Sequence, residues 1–141
     1  MENIFPEKLI SIIYRAHMSR LERKLKSYGI GSGQFLFLIS LYCKDGVNQD
    51  ELSKDLGLDK TTTTRALNKL EQDGFIHRQQ DELDKRYKRV YVTDKAKKIK
   101  YEIQNLSEEW NEKLFEGFSV NEKQTIINAL SKMIENTKKL V

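Results

Sequence analysis

The stretch NQDELSKDLGLDKTTTTRALNKLEQDGF, Asn48 to Phe75, decides how this chain folds. Asn48 is placed to cap a helix over 49–57, whose acidic first turn suits the positive end of the helix dipole. Leu52 and Leu56 share one face, and Gly57 ends the helix in a tight turn. Asp59 caps a second helix running to about Asp73, and Gly74 stands where a left-handed residue closes a helix. Two short helices, a glycine turn and facing leucines form a helix-turn-helix pattern.

The four threonines in the second helix need an account, because β-branched residues are mediocre helix formers. At about 100° per residue, Thr63, Ala66, Leu67 and Leu70 fall together and face inward. Thr61, Thr62, Arg65, Asn68 and Lys69 fall on the opposite face, with Thr64 on the flank. Hydroxyls, an amide and two cations on one helix face suit a DNA major groove: cations to guanine edges, Asn to adenine, Thr to phosphates or methyls. Free N–H groups at the helix start would add phosphate contacts.

After Gly74 the pattern turns to strands. FIHRQQ (75–80) and RYKRVYVT (86–93) flank the polar loop DELDK (81–85), which predicts a hairpin. A helix-turn-helix followed by a hairpin is a winged helix. Between Asp84 and Lys100 eight basic residues stand against two acidic ones, a cluster that would attract phosphate. Arg86 at the hairpin tip is the candidate for a narrow minor groove, with Lys85 and Lys88 beside it. Arg78 on the facing strand and Asp84 are counted with this DNA-binding surface, and Asp84 could hold the tip by pairing with Arg86 or with Arg78.

Helices are expected on both sides. Leu9, Ile10, Ile13, Tyr14, His17, Leu21 and Leu25 recur at helical spacing behind Pro6. QFLFLISLY (34–42) reads as a buried helix ending near Gly46. Asp94 is expected to cap one long helix carrying Ile99, Ile103, Leu106, Trp110 and Leu114. Ser119 or Asn121 would start a last helix bearing Ile127, Leu130, Met133 and Ile134. The fold class is therefore mostly α (α+β): a winged helix-turn-helix lobe at 33–93 and helical dimerisation regions at 1–32 and 94–141. The terminal stripes exceed what a small lobe can bury, so a homodimer is expected.

Composition bounds the function. The 141 residues carry a formal charge of +4, and a third of them are charged. No apolar run reaches the roughly 18–20 residues of a membrane span, and no secretory signal is visible, so a cytoplasmic protein is expected. Cys43 is the single cysteine, and with two histidines the usual structural zinc spacings are excluded. No nucleophile–base pair, metal triad or phosphate loop is visible, which argues against an enzyme and against any cofactor.

The wing DKRYKRVYVT resembles the signature of the MarR family of bacterial regulators, with Asp84, Arg86, Val92 and Thr93 at its positions. TRALNKLEQDGFIHR (64–78) is similar to that family's recognition helix running into the first wing strand, including Gly74 and Arg78. Val92 stands where Leu is usual, Ala96 where Gly is frequent, and Thr63 where an aliphatic is usual, which would loosen the inward packing. The resemblance implies a homodimer on a palindromic operator in double-stranded DNA, usually a repressor, relieved by a small phenolic or lipophilic effector or by cysteine oxidation. It places an effector pocket at Tyr14, His17, Phe35, Ile39 and Tyr42. The alternatives are a winged-helix protein-interaction module and a redox-sensing regulator acting through Cys43.

Overall fold

The computed structural model describes residues 3–140, which divide between Leu106 and Ser107 into two compact units. In the first unit, α1 (Pro6–Leu25) leads through a single tight helical turn to α2 (Ser32–Cys43). There follow β1 (Val47–Asn48), α3 (Gln49–Leu56), α4 (Lys60–Gln72), β2 (Ile76–Gln80), β3 (Lys88–Val92) and α5 (Asp94–Lys98). Next, α6 (Lys100–Leu114) crosses the boundary between the units, and α7 (Val120–Lys138) lies in the second.

Local rules set most element ends. Asn48 Oδ1 accepts the Asp50 N–H at 2.7 Å, and Asp59 Oδ1 accepts that of Thr62 at 2.7 Å. Gly57 and Gly74 take φ of 65° and 82°, the left-handed region a Cβ would strain. The sheet is antiparallel in the order β1-β3-β2, with Val47 opposite Val90 and Ile76 opposite Val92.

The core joins Leu21 and Leu25 of α1, Phe35, Phe37, Leu38 and Leu41 of α2, Leu67 and Leu70 of α4, Ile76, Val90, Ala96, Ile103 and Leu106. Leu9, Ile10, Ile13 and Tyr14 remain exposed, so the stripe on α1 serves this core only at its C-terminal end. On α7, Ile127, Leu130, Met133 and Ile134 are also exposed, and a Ser119–Glu122 capping box starts that helix.

Two expectations need correction. The cap after the wing is Thr93 rather than Asp94. Thr93 Oγ1 accepts the Ala96 N–H at 3.3 Å and donates to the Gly74 carbonyl at 2.6 Å, leaving Asp94 in the first turn. The helix expected to run unbroken from there is interrupted at Ile99, whose N–H takes the Ala96 carbonyl in a tighter three-residue turn.

Candidate nucleic-acid interface

Helix α4 presents its two faces as the wheel requires. Thr63, Ala66, Leu67 and Leu70 are buried, while Thr61, Thr62, Thr64, Arg65, Asn68 and Lys69 are exposed. Thr63 does not loosen the packing. It is 0% exposed, and its Oγ1 meets the buried Ser53 Oγ at 2.7 Å, so the hydroxyl is satisfied where α3 packs on α4.

The start of α4 is less open than expected. The Asp59 carboxylate holds the Thr62 N–H at 2.7 Å and the Thr62 hydroxyl at 2.9 Å. These bonds, the backbone one first, keep the Asp59 carboxyl below the usual range. At this end Asp59, rather than an outside anion, occupies the Thr62 donor. Further along the helix, Thr64 Oγ1 accepts from Gln49 Nε2 at 3.2 Å, and Lys69 Nζ lies 3.4 Å from Asp73.

The wing carries its arginine on a built mount. Arg86 Nη2 lies 2.8 Å from Asp84 Oδ2 and Nε 3.0 Å from Oδ1, which also takes the Arg86 N–H at 3.1 Å. The side-chain bond from Arg86 is the main cause holding the Asp84 carboxyl below its ordinary value. The Arg86 side chain stays 82% exposed. Of the two partners expected for Asp84, the structure selects Arg86.

Behind the tip, Asp81 organises the loop. Its Oδ1 accepts from the Leu83 and Asp84 N–H groups at 2.8 and 3.1 Å, and its Oδ2 takes Arg89 Nε at 2.7 Å. Arg89 Nη1 reaches on to the Gly46 carbonyl at 2.9 Å, strapping the wing to the turn before β1. Lys85 and Lys88 are exposed beside the tip.

Arg78 is turned into the protein. Its Nη2 lies 3.0 Å from Glu71 Oε1 and 2.6 Å from Asn68 Oδ1, and Nη1 lies 3.4 Å from Gln49 Oε1. Glu71 and Gln49 escaped the sequence reading, because nothing local links residues on α3, α4 and β2. Lys95, one of the basic cluster, donates to the Asp73 carbonyl at 2.6 Å and sits 4.4 Å from the centre of the Phe75 ring. It closes the end of α4 as well as adding charge.

The residues expected to line an effector pocket are divided. Phe35 and Tyr42 are buried core side chains, and the Tyr42 hydroxyl donates to the Ala96 carbonyl at 2.6 Å. Burial, then Glu102, pushes that phenol up to about 12. Ile39 packs partly buried against the core, and the half-buried His17 meets Phe35 edge-on at 6.3 Å. Burial, then Arg20, lowers the His17 pKa. Tyr14 stands exposed on α1, and Cys43 is an exposed free thiol at the end of α2. Among the described residues no helix is long and apolar enough to cross a membrane.

Comparison with known proteins agrees with this architecture. The family model described as MarR family matches residues 30–88. A MarR transcriptional regulator from Methanosarcina mazei Go1 is 44% identical, covers 97% of this chain and 99% of its own, and superposes with a TM-score of 0.85. The uncharacterized HTH-type transcriptional regulator YybA of Bacillus subtilis (strain 168) is 34% identical over 90% of this chain and 85% of its own. A MarR family protein from Listeria monocytogenes, solved with a 26mer DNA, is 30% identical with a TM-score of 0.88, over 96% of this chain and 89% of its own. The likeness runs through the terminal helices as well as the wing, and the chain belongs to the MarR family of HTH-type transcriptional regulators.

Proposed function

We propose that this regulator binds duplex DNA as a homodimer at a palindromic operator, represses transcription there, and is released by a small lipophilic or phenolic effector. The observation that carries the DNA reading is the pairing of two features. The outward face of α4 bears Thr61, Thr64, Arg65, Asn68 and Lys69, and the wing carries Arg86 exposed on its Asp84 mount. Arg65 and Asn68 suit base edges, and Arg86, flanked by Lys85 and Lys88, suits a narrow, strongly negative minor groove. Asp84 acts by holding the tip.

The dimer is supported by apolar side chains left in solvent on each terminal helix: Leu9, Ile10, Ile13 and Tyr14 on α1, and Ile127, Leu130, Met133 and Ile134 on α7. An exposed apolar stripe on a helix of this kind marks an association face. A two-fold dimer presents two equal α4 helices and so favours a palindrome. Regions 1–32 and 94–141 would supply this association, with 33–93 carrying the DNA-facing surface.

A gel-shift with the duplex upstream of the protein's own gene, against a scrambled duplex, tests the reading. Specific retention that a phenolic acid reverses is the expected result. Binding to neither duplex would favour a protein-interaction module. Retention lost on peroxide treatment, and kept in Cys43→Ser, would favour redox control.

A further inference from the structure

Arg78 ties three elements together. From β2 its Nη2 donates to Asn68 Oδ1 at 2.6 Å and to Glu71 Oε1 at 3.0 Å on α4, and its Nη1 to Gln49 Oε1 at 3.4 Å on α3. Glu71 also accepts the Arg78 backbone N–H at 3.0 Å. The Arg78 side chain is 12% exposed, and its charge faces that carboxylate. A phosphate would have to displace Glu71 to reach it.

A guanidinium has donors and no acceptor. The Asn68 atom that meets it at 2.6 Å must therefore be oxygen, so the contact itself assigns the amide. The amide is planar, and an oxygen turned toward β2 turns the NH2 group away from it. An asparagine that pairs bidentately with adenine uses both ends, accepting from the 6-amino group while donating to N7. In this structure one of the oxygen's two lone pairs is already taken from the protein side, and Arg78 sets the direction in which the oxygen points.

We propose that Arg78 is a positioning residue, which fixes the Asn68 amide so that Asn68 reads a purine acceptor edge through its NH2 group alone. The proposal rests on the DNA-binding reading above. Gln49 belongs to the same device. Its oxygen faces Arg78 and its nitrogen faces Thr64 Oγ1, so one guanidinium orders two residues of the outward α4 face.

Fluorescence anisotropy on the full-length protein tests this, with sites first selected from a randomised duplex library. The base faced by Asn68 is the position whose preference Asn68→Ala abolishes. Arg78→Ala should lose about ten-fold discrimination at that position, with discrimination elsewhere and the salt slope unchanged. A 7-deaza purine there should bind about ten-fold more weakly, and an adenine stripped of its 6-amino group should bind equally well. Asn68→Asp keeps a contact for Arg78, so the fold is protected, and should lose the same preference.

A salt slope lower by about one with every sequence weakened alike would make Arg78 a phosphate contact and overturn the proposal. A pyrimidine preference, a penalty for removing the 6-amino group equal to that for N7, or an intact preference in Asn68→Asp would overturn it too. If the unmutated chain binds no duplex DNA, the DNA-binding reading fails first and takes this proposal with it.

Discussion

The Ser53–Thr63 pair offers a quantitative test of how α4 is seated. The two hydroxyls meet at 2.7 Å between the helices of the helix-turn-helix, and both side chains are buried. Thr63→Val keeps the shape and deletes the hydroxyl, leaving the Ser53 oxygen without its partner. An orphaned buried hydroxyl costs about 1–3 kcal/mol, and the methyl that replaces the oxygen returns at most ~0.8 kcal/mol. The expected net loss is about 1–2 kcal/mol. Ser53→Ala orphans Thr63 and should cost a similar amount. The double variant removes both polar groups and should lie within about 1 kcal/mol of the unmutated chain, because deleting both partners is close to neutral. The coupling energy is then about 2–3 kcal/mol. Urea denaturation measures it, at one fixed protomer concentration because association shifts apparent stability. Losses that simply add in the double variant would refute the argument.

Four further outcomes are expected. Arg65→Ala should cost about 1–3 kcal/mol at one base position and relax the preference there, whereas Arg86→Ala should weaken binding to the operator at moderate salt; binding competition with single-base operator variants separates them, and equal losses on all sequences for Arg65 would contradict base reading. Lys95→Met should lower the melting temperature and leave the salt slope unchanged, since Lys95 closes α4 against the Asp73 carbonyl and the Phe75 ring; a slope lower by about one would place it on phosphate instead. Glu71 sits below its ordinary value of 4.5, chiefly through the side-chain bond from Arg78. A depressed carboxylate adds stability above its ordinary value and gives it up as pH falls through the folded one, so Glu71→Gln should flatten the acid limb of the stability–pH curve; an unchanged limb would sink that assignment.

The residues readable from sequence are those whose partners lie within one turn. Asn48, Gly57, Asp59 and Gly74 act through neighbours two to four residues away, so capping and glycine rules placed the helix ends. The faces of α4 followed from periodicity alone. What stayed hidden are side-chain pairs set by packing. Thr63 finds Ser53 ten residues back, and Arg78 finds Gln49 twenty-nine back. Local rules mislead where two caps compete: Thr93 wins over Asp94 because its hydroxyl also ties down the Gly74 carbonyl, nineteen residues upstream. The proposed DNA face was therefore legible as a surface, and the bonds that orient its side chains were not.

The wing loop separates shape from content. Its path is drawn by two carboxylates, one side-chain amide and main-chain bonds: Asp81 gathers the Leu83 and Asp84 N–H groups, Asp84 takes that of Arg86, Gln80 Nε2 donates to the Lys85 carbonyl, and the Tyr87 carbonyl takes the Asp81 N–H. None of the side chains at 82, 83 and 85 is needed to draw it, and Leu83 projects into solvent at 98% exposure. Those three positions form a cassette that substitution can rewrite while the tip keeps its curvature. New groove chemistry can be grafted there, and the arginine beside it will still arrive at the same place.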